Sequence, residues 1–138
     1  MYKYVIWDWN GTLLDDIDIC VNVMNKLLKE RDMPLSNINN YKNIFGFPVR
    51  KYYDELGFDF IKEPFEKVSV EFITEYQKQS FSAKLVDDAA EVLEFCRKSG
   101  LQQIVLSASQ IENLTEQVNH FGIRKYFDTL LGLDHIHA

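Results

Sequence analysis

The chain has 138 residues, 46% hydrophobic and 26% charged, proportions that exclude a disordered or fibrous polymer and suit a soluble globular domain able to bury a core. A formal charge of −6 at pH 7 without any basic cluster gives no electrostatic reason to expect nucleic acid or an anionic membrane as partner, so a phosphorylated ligand would need a local cation. The amino terminus has no basic segment before a long apolar stretch and no apolar run nears ~18 residues, which makes the cytoplasm the expected compartment.

Residues 2–7, YKYVIW, are aromatic and β-branched and too short for a helix. They predict a strand buried on both faces and central to a parallel sheet. From Asp15 onward, Ile17, Cys20, Val21, Met24, Leu27 and Leu28 recur at helical spacing until Arg31-Asp32-Met33-Pro34 ends the run. Three further helices are predicted: Ser36 or Asn37 to about Phe45, Val49 to Leu56, and Pro64 to about Ser80, punctuated by Pro48 and Gly57, with Pro64 as a first helical residue. Asp87 or Asp88 can cap the next helix, whose apolar face is Ala89, Val92, Leu93 and Cys96 and whose stop is Gly100. A short strand, 103–106, ends in Ser107-Ala108-Ser109. A helix from about Gln110 to Phe121 follows, with Ser109 as its cap, and a last strand is expected within 127–133.

Strand, helix, strand, helix, strand predicts an α/β fold, a Rossmann-like parallel sheet of about three strands, interrupted after its first strand by about 65 helical residues. The expected division is 1–14 with 83–138 as the sheet domain and 15–82 as the helical insertion. Cys20 and Cys96 have neither CxxC nor Cys/His spacing and are expected as reduced core thiols. Ligands of open parallel sheets gather beyond the carboxyl ends of the strands. Asp8 and Ser107 stand at two such ends and would share a crevice if their strands are neighbours.

Asp8-Trp9-Asn10-Gly11-Thr12-Leu13 resembles the first motif of the haloacid dehalogenase-like superfamily, usually Asp-x-Asp-Gly-Thr-Leu, and Val105-Leu106-Ser107 is similar to its second. The helical insertion resembles the cap of phosphoglycolate phosphatase-like and β-phosphoglucomutase-like members. The resemblance implies a Mg²⁺-dependent phosphate-monoester hydrolase acting on a small phosphorylated metabolite. It makes Asp8 the nucleophile that forms an aspartyl phosphate, Asp8 and the backbone carbonyl of Asn10 the metal ligands, and Asn10 and Ser107 further catalytic positions. Gly11, Thr12 and Ala108 fall at substrate-holding positions. Phe45-Gly46-Phe47-Pro48-Val49-Arg50 resembles the cap loop that meets substrate, with Arg50 facing an anion. The chemistry is coherent: a carboxylate that attacks a phosphoryl group needs a cation to offset repulsion and fixed donors for the equatorial oxygens.

The chain departs from that pattern in two places. Asn10 stands where family phosphatases carry an acid that moves a proton, and an amide cannot do so. The family's third motif, a lysine, and its fourth, an acidic pair, normally come later than Gly132-Leu133-Asp134-His135-Ile136-His137-Ala138; Lys125 precedes the last strand, and Asp134 makes no pair. The sequence therefore reads as an amino-terminal portion of a longer phosphatase, with the free edge of the first strand exposed and prone to self-association. The alternative function is a catalytically silent or truncated domain that binds a phosphorylated ligand or a protein. Asp15 and Asp16 suit the dipole of the first helix and are assigned no chemistry. Tyr52, Tyr53, Phe58, Phe60, Phe65, Phe72 and Tyr76 are expected in the core of the helical insertion, and His120 on a helix surface. His135 and His137 alternate, but two ligands without a third do not make a metal site.

Overall fold

The structure is a computed structural model that describes residues 1–135. In chain order it contains β1 (Tyr4–Trp7), β2 (Leu14–Asp15), α1 (Ile17–Glu30), α2 (Ile38–Ile44), α3 (Val49–Leu56), α4 (Phe65–Gln79), β3 (Lys84–Leu85), α5 (Ala89–Lys98), β4 (Gln102–Gln110), α6 (Ile111–His120) and β5 (Thr129–Leu133). Two compact units result, one formed by Met1–Asp16 with Ser80–His135 and the other by Ile17–Gln79.

The first unit is α/β. Its sheet has the order β1-β4-β5 and is parallel throughout, with Trp7 paired to Val105 and Leu106 to Leu131. The expectation of a central first strand is corrected: among the described residues β4 holds the middle and β1 an edge. The strand order advances in one direction, so right-handed crossovers place α5 and α6 on the same face. Burial follows this division. Gln103, Val105 and Ser107 of β4 are buried on the covered face, whereas Tyr4, Ile6, Leu106 and Leu131 on the other face are exposed, so β1 is not buried on both sides. Gln103 anchors the covered face. Its side chain donates to the carbonyl of Leu93 in α5 and accepts from the Trp7 indole at 3.0 Å, and its N–H donates to Asp128.

Two expected caps are not made. β4 runs through Ser107, Ala108 and Ser109 to Gln110, so Ser109 is a strand residue, and α6 starts after Gln110 without a side-chain cap bond. Asp88 precedes α5 at φ +65° and likewise makes no cap bond. The chain enters the helix from a turn closed by the Ala89 N–H on the Val86 carbonyl, with Asp88 in the left-handed conformation and not the extended one from which a side chain caps. Pro64 sits just before α4, where its carbonyl accepts from the N–H groups of Lys67 and Val68.

The second unit is wholly helical. Asn37 caps α2 by accepting from the Asn40 N–H at 2.8 Å, and Gly57 ends α3 in the left-handed conformation. Val23, Met24, Leu27 and Leu28 of α1 meet Tyr52, Tyr53, Phe58, Phe65, Val68 and Tyr76 in one apolar cluster, with Phe60 and Phe72 packed at its margin. Burial pushes the Tyr53 phenol above its ordinary range. At the edge of the cluster Arg31 binds Glu63 and Glu71, at 2.5 and 2.6 Å. Cys20 and Cys96 are buried thiols outside any disulfide, one in each unit. No helix among the described residues is long and apolar enough to cross a membrane.

Candidate active site

The strand β1 ends at Trp7, and the chain then folds sharply on Trp9. The N–H groups of Thr12, Leu13 and Leu14 all donate to the Trp9 carbonyl at 3.1 Å. Such a turn requires a residue with positive φ, and Gly11 supplies it at +73°. Trp9 itself is fully buried and donates its indole N–H to Gln117 of α6 at 2.8 Å. The turn is thus nailed to the covered side of the sheet by its second residue, and its first is left outside.

Asp8 is that outer residue. Its side chain is exposed, with one carboxylate oxygen accepting from the Trp9 N–H at 2.9 Å and the other from the Thr12 hydroxyl at 3.0 Å. Two local bonds fix the orientation of the carboxylate and leave further lone pairs toward solvent.

Asn10 joins this turn to the neighbouring strand. Its Oδ1 accepts from the Ser109 hydroxyl at 2.9 Å and the Ser107 hydroxyl at 3.4 Å. Its Nδ2 donates to Asp16 Oδ2 at 2.9 Å, while Asp16 Oδ1 accepts from the Gly11 N–H at 3.0 Å. Asp8, Asn10, Gly11, Thr12 and Ser107 therefore form one cluster at the carboxyl ends of β1 and β4, with Ala108 between the two serines. Arg50 belongs to the helical unit, where its guanidinium lies over the rings of Phe60 and Phe65 at 5.2 and 5.9 Å.

Sequence reasoning missed Asp16, Ser109, Trp9 and Gln117. Asp16 is 2% exposed and faces the Asn10 turn, which its position at the start of a helix did not signal. The alternation of β4 does carry a signal for Ser109, since residues two apart on a strand share a face.

The donors present are hard oxygens, namely the exposed Asp8 carboxylate and the backbone carbonyls of its turn, and they fit Mg²⁺ in kind, because that ion takes one or two carboxylates and fills other positions with water and phosphate. Among the described residues no group of three His, Cys, Asp or Glu side chains is placed to hold a metal. His137 lies outside the described residues, and His135 is exposed with Asp134 at 3.9 Å. Lys125 rests over the Tyr126 ring ahead of β5, and His120 is an exposed residue stacked on Phe81.

Residues 5–138 match the profile of the haloacid dehalogenase-like hydrolases. A curated relative, the N-acetylmuramic acid 6-phosphate phosphatase of Pseudomonas putida, is 24% identical over 136 residues, which cover 97% of this chain and 61% of that protein. Among solved structures, a haloacid dehalogenase-like family hydrolase from Streptococcus pneumoniae superposes with a TM-score of 0.81 at 17% identity, over 96% of this chain and 61% of its own. A predicted phosphoglycolate phosphatase from Haemophilus somnus gives 0.70 at 18% identity, over 95% and 62%. The chain thus spans about three fifths of the length of the relatives it matches.

Proposed function

The chain belongs to the haloacid dehalogenase-like hydrolase family, and on that footing we propose that it carries the nucleophile side of a Mg²⁺-dependent phosphate-monoester hydrolase for a small phosphorylated metabolite. One observation supports this reading above the others. The Asp8 carboxylate stands exposed and oriented at the end of β1, in a cluster that includes the hydroxyl-bearing end of the adjacent strand β4.

In this reading an Asp8 oxygen attacks phosphorus, the bond from phosphorus to the leaving oxygen breaks, and the phosphoryl group stays on Asp8 as an aspartyl phosphate. Thr12, Gly11, Ala108 and Ser107 hold phosphoryl oxygens. Mg²⁺, when bound to Asp8 and the carbonyl of Asn10, offsets the charge between carboxylate and phosphate. Residues 15–82 serve as the family's helical cap module and 1–14 with 83–138 as the sheet domain, and Arg50 is the cap's candidate cation for a substrate anion. The amide of Asn10 can neither protonate the leaving oxygen nor take a proton from water, a loss typically worth about 10²–10⁴-fold in rate. Slow release of the aspartyl phosphate follows. The exposed edge of β1 adds a tendency to self-association.

The test uses p-nitrophenyl phosphate, whose phenolate leaves without a proton. With Mg²⁺, phosphate is expected on Asp8 in a hydroxylamine-labile form, with a burst of p-nitrophenolate ahead of slow turnover, and neither is expected in Asp8→Asn. Equal behaviour of the two proteins, with no labelled Asp8, overturns the hydrolase. Tight retention of phosphorylated ligands by both would then favour a silent binding module, the reading to which the amide at position 10 also leans.

A further inference from the structure

We infer that Asp16 is a positioning residue of this site and that Asn10 and Asp16 are a matched pair, in which the carboxyl group lies at 16 because the amide lies at 10. The consequence for turnover rests on the hydrolase reading above; the pairing does not.

The hydrogen bonds dictate the match. A carboxylate has only acceptor oxygens, and those of Asp16 take one bond from the Gly11 N–H at 3.0 Å and one from Asn10 Nδ2 at 2.9 Å. The second bond settles which way the Asn10 amide faces. Its nitrogen must point to Asp16, so its oxygen points to Ser107 and Ser109. Through that one side chain, Asp16 ties the turn after β1 to the end of β4, and it does so from a position 2% exposed, where an ill-matched partner is costly.

Each single exchange breaks the match in a definable way. Asn10→Asp sets two carboxyl groups 2.9 Å apart in a buried place, where they must either repel as like charges or take up a proton to share. Asp16→Asn sets an NH₂ group against either the Gly11 N–H or the Asn10 NH₂. The reciprocal exchange, Asn10→Asp with Asp16→Asn, repairs both: Asn at 16 donates to Asp at 10 and accepts from Gly11, and Asp at 10 keeps both serine hydroxyls. Net charge is unchanged. The exchange also puts an ionisable carboxyl where the amide cannot move a proton.

The experiment is a four-protein cycle read by thermal melting and by p-nitrophenyl phosphate turnover with Mg²⁺. Each single variant is expected to melt about 5–10 °C lower, and the double variant within about 2 °C of the original. A single variant that does not fold while the double one does supports the pair equally. A double variant that loses the sum of the single losses, or does not fold, overturns it. In turnover, Asp16→Asn should fall below the original and the double variant should exceed it by about 10²-fold, the lower end of general acid–base help, a reversal that mere repair of the fold does not produce. Rescued melting with no Asp8-dependent turnover in any of the four proteins would count against the hydrolase and leave the pair standing.

Discussion

At the residue scale the site depends on contacts whose partners are far away in sequence. The buried indole of Trp9 reaches Gln117 across 108 positions, so the turn that presents Asp8 is secured by a helix formed near the other end of the chain. Trp9→Phe keeps most of the apolar volume but removes that N–H donor, and urea unfolding is expected to show a loss of about 1–2 kcal/mol. Gly132 is a sterically stricter case. A Cβ there would lie 2.7 Å from the Ser109 carbonyl and 3.0 Å from the Ile111 Cα, both backbone atoms that cannot swing aside. Gly132→Ala is expected to lose about 1–3 kcal/mol through overpacking and to push Ser109 away from Asn10. Unchanged unfolding by urea would show that β4 and β5 can part there without cost.

At the element scale the helical unit combines an aromatic interior with an ionic edge. Arg31 bonds to Glu63, Glu71 and the Leu27 carbonyl, and so links α1 to α4 and to the segment that leads into it. The hydrogen bond from Arg31 holds the Glu71 carboxyl below its ordinary value of 4.5. A depressed folded-state pKa contributes stability above the unfolded pKa and loses it as pH falls through the folded one. Melting of this unit is therefore expected to weaken as pH falls below the ordinary carboxylate range, and Glu71→Gln should flatten that decline. An acid limb of the same slope in both proteins would assign the loss to other carboxylates. The pair is partly exposed and screened by salt, so the effect should shrink in concentrated salt.

At the scale of the whole molecule the sheet has one face that no described element of its own unit covers. Tyr4, Ile6 and Leu106 are 57%, 63% and 54% exposed and lie side by side with Leu131 across three parallel strands. Parallel sheets are found with both faces covered, and an apolar patch next to the edge of β1 that no described strand pairs favours association. Sedimentation of the chain as described is expected to show concentration-dependent assembly, shifted toward the monomer by Ile6→Lys. A monodisperse monomer at high concentration would contradict the proposed self-association.

The sequence by itself determined the order of the helices and of the three parallel strands and the turn at Asp8, but not the short antiparallel pair of β2 with β3. Helical spacing from Ile17, the Gly-Thr turn and the apolar run before Ser107 are local signals, and local backbone chemistry is enough to make them. What only the tertiary structure decided was which polar groups meet. Asp16 looked like a charge suited to a helix dipole, and Ser109 like a helix cap, because the sequence shows each beside a helix. Chain folding put Asp16 under Asn10 instead, and carried β4 far enough for Ser109 to reach the same amide. The place of β1 was beyond local signals too, since an apolar strand becomes central or peripheral only by what pairs with its second edge. Spacing along a chain fixes periodicity and turns, whereas hydrogen-bond partners and strand neighbours are set by distances that exist only after folding.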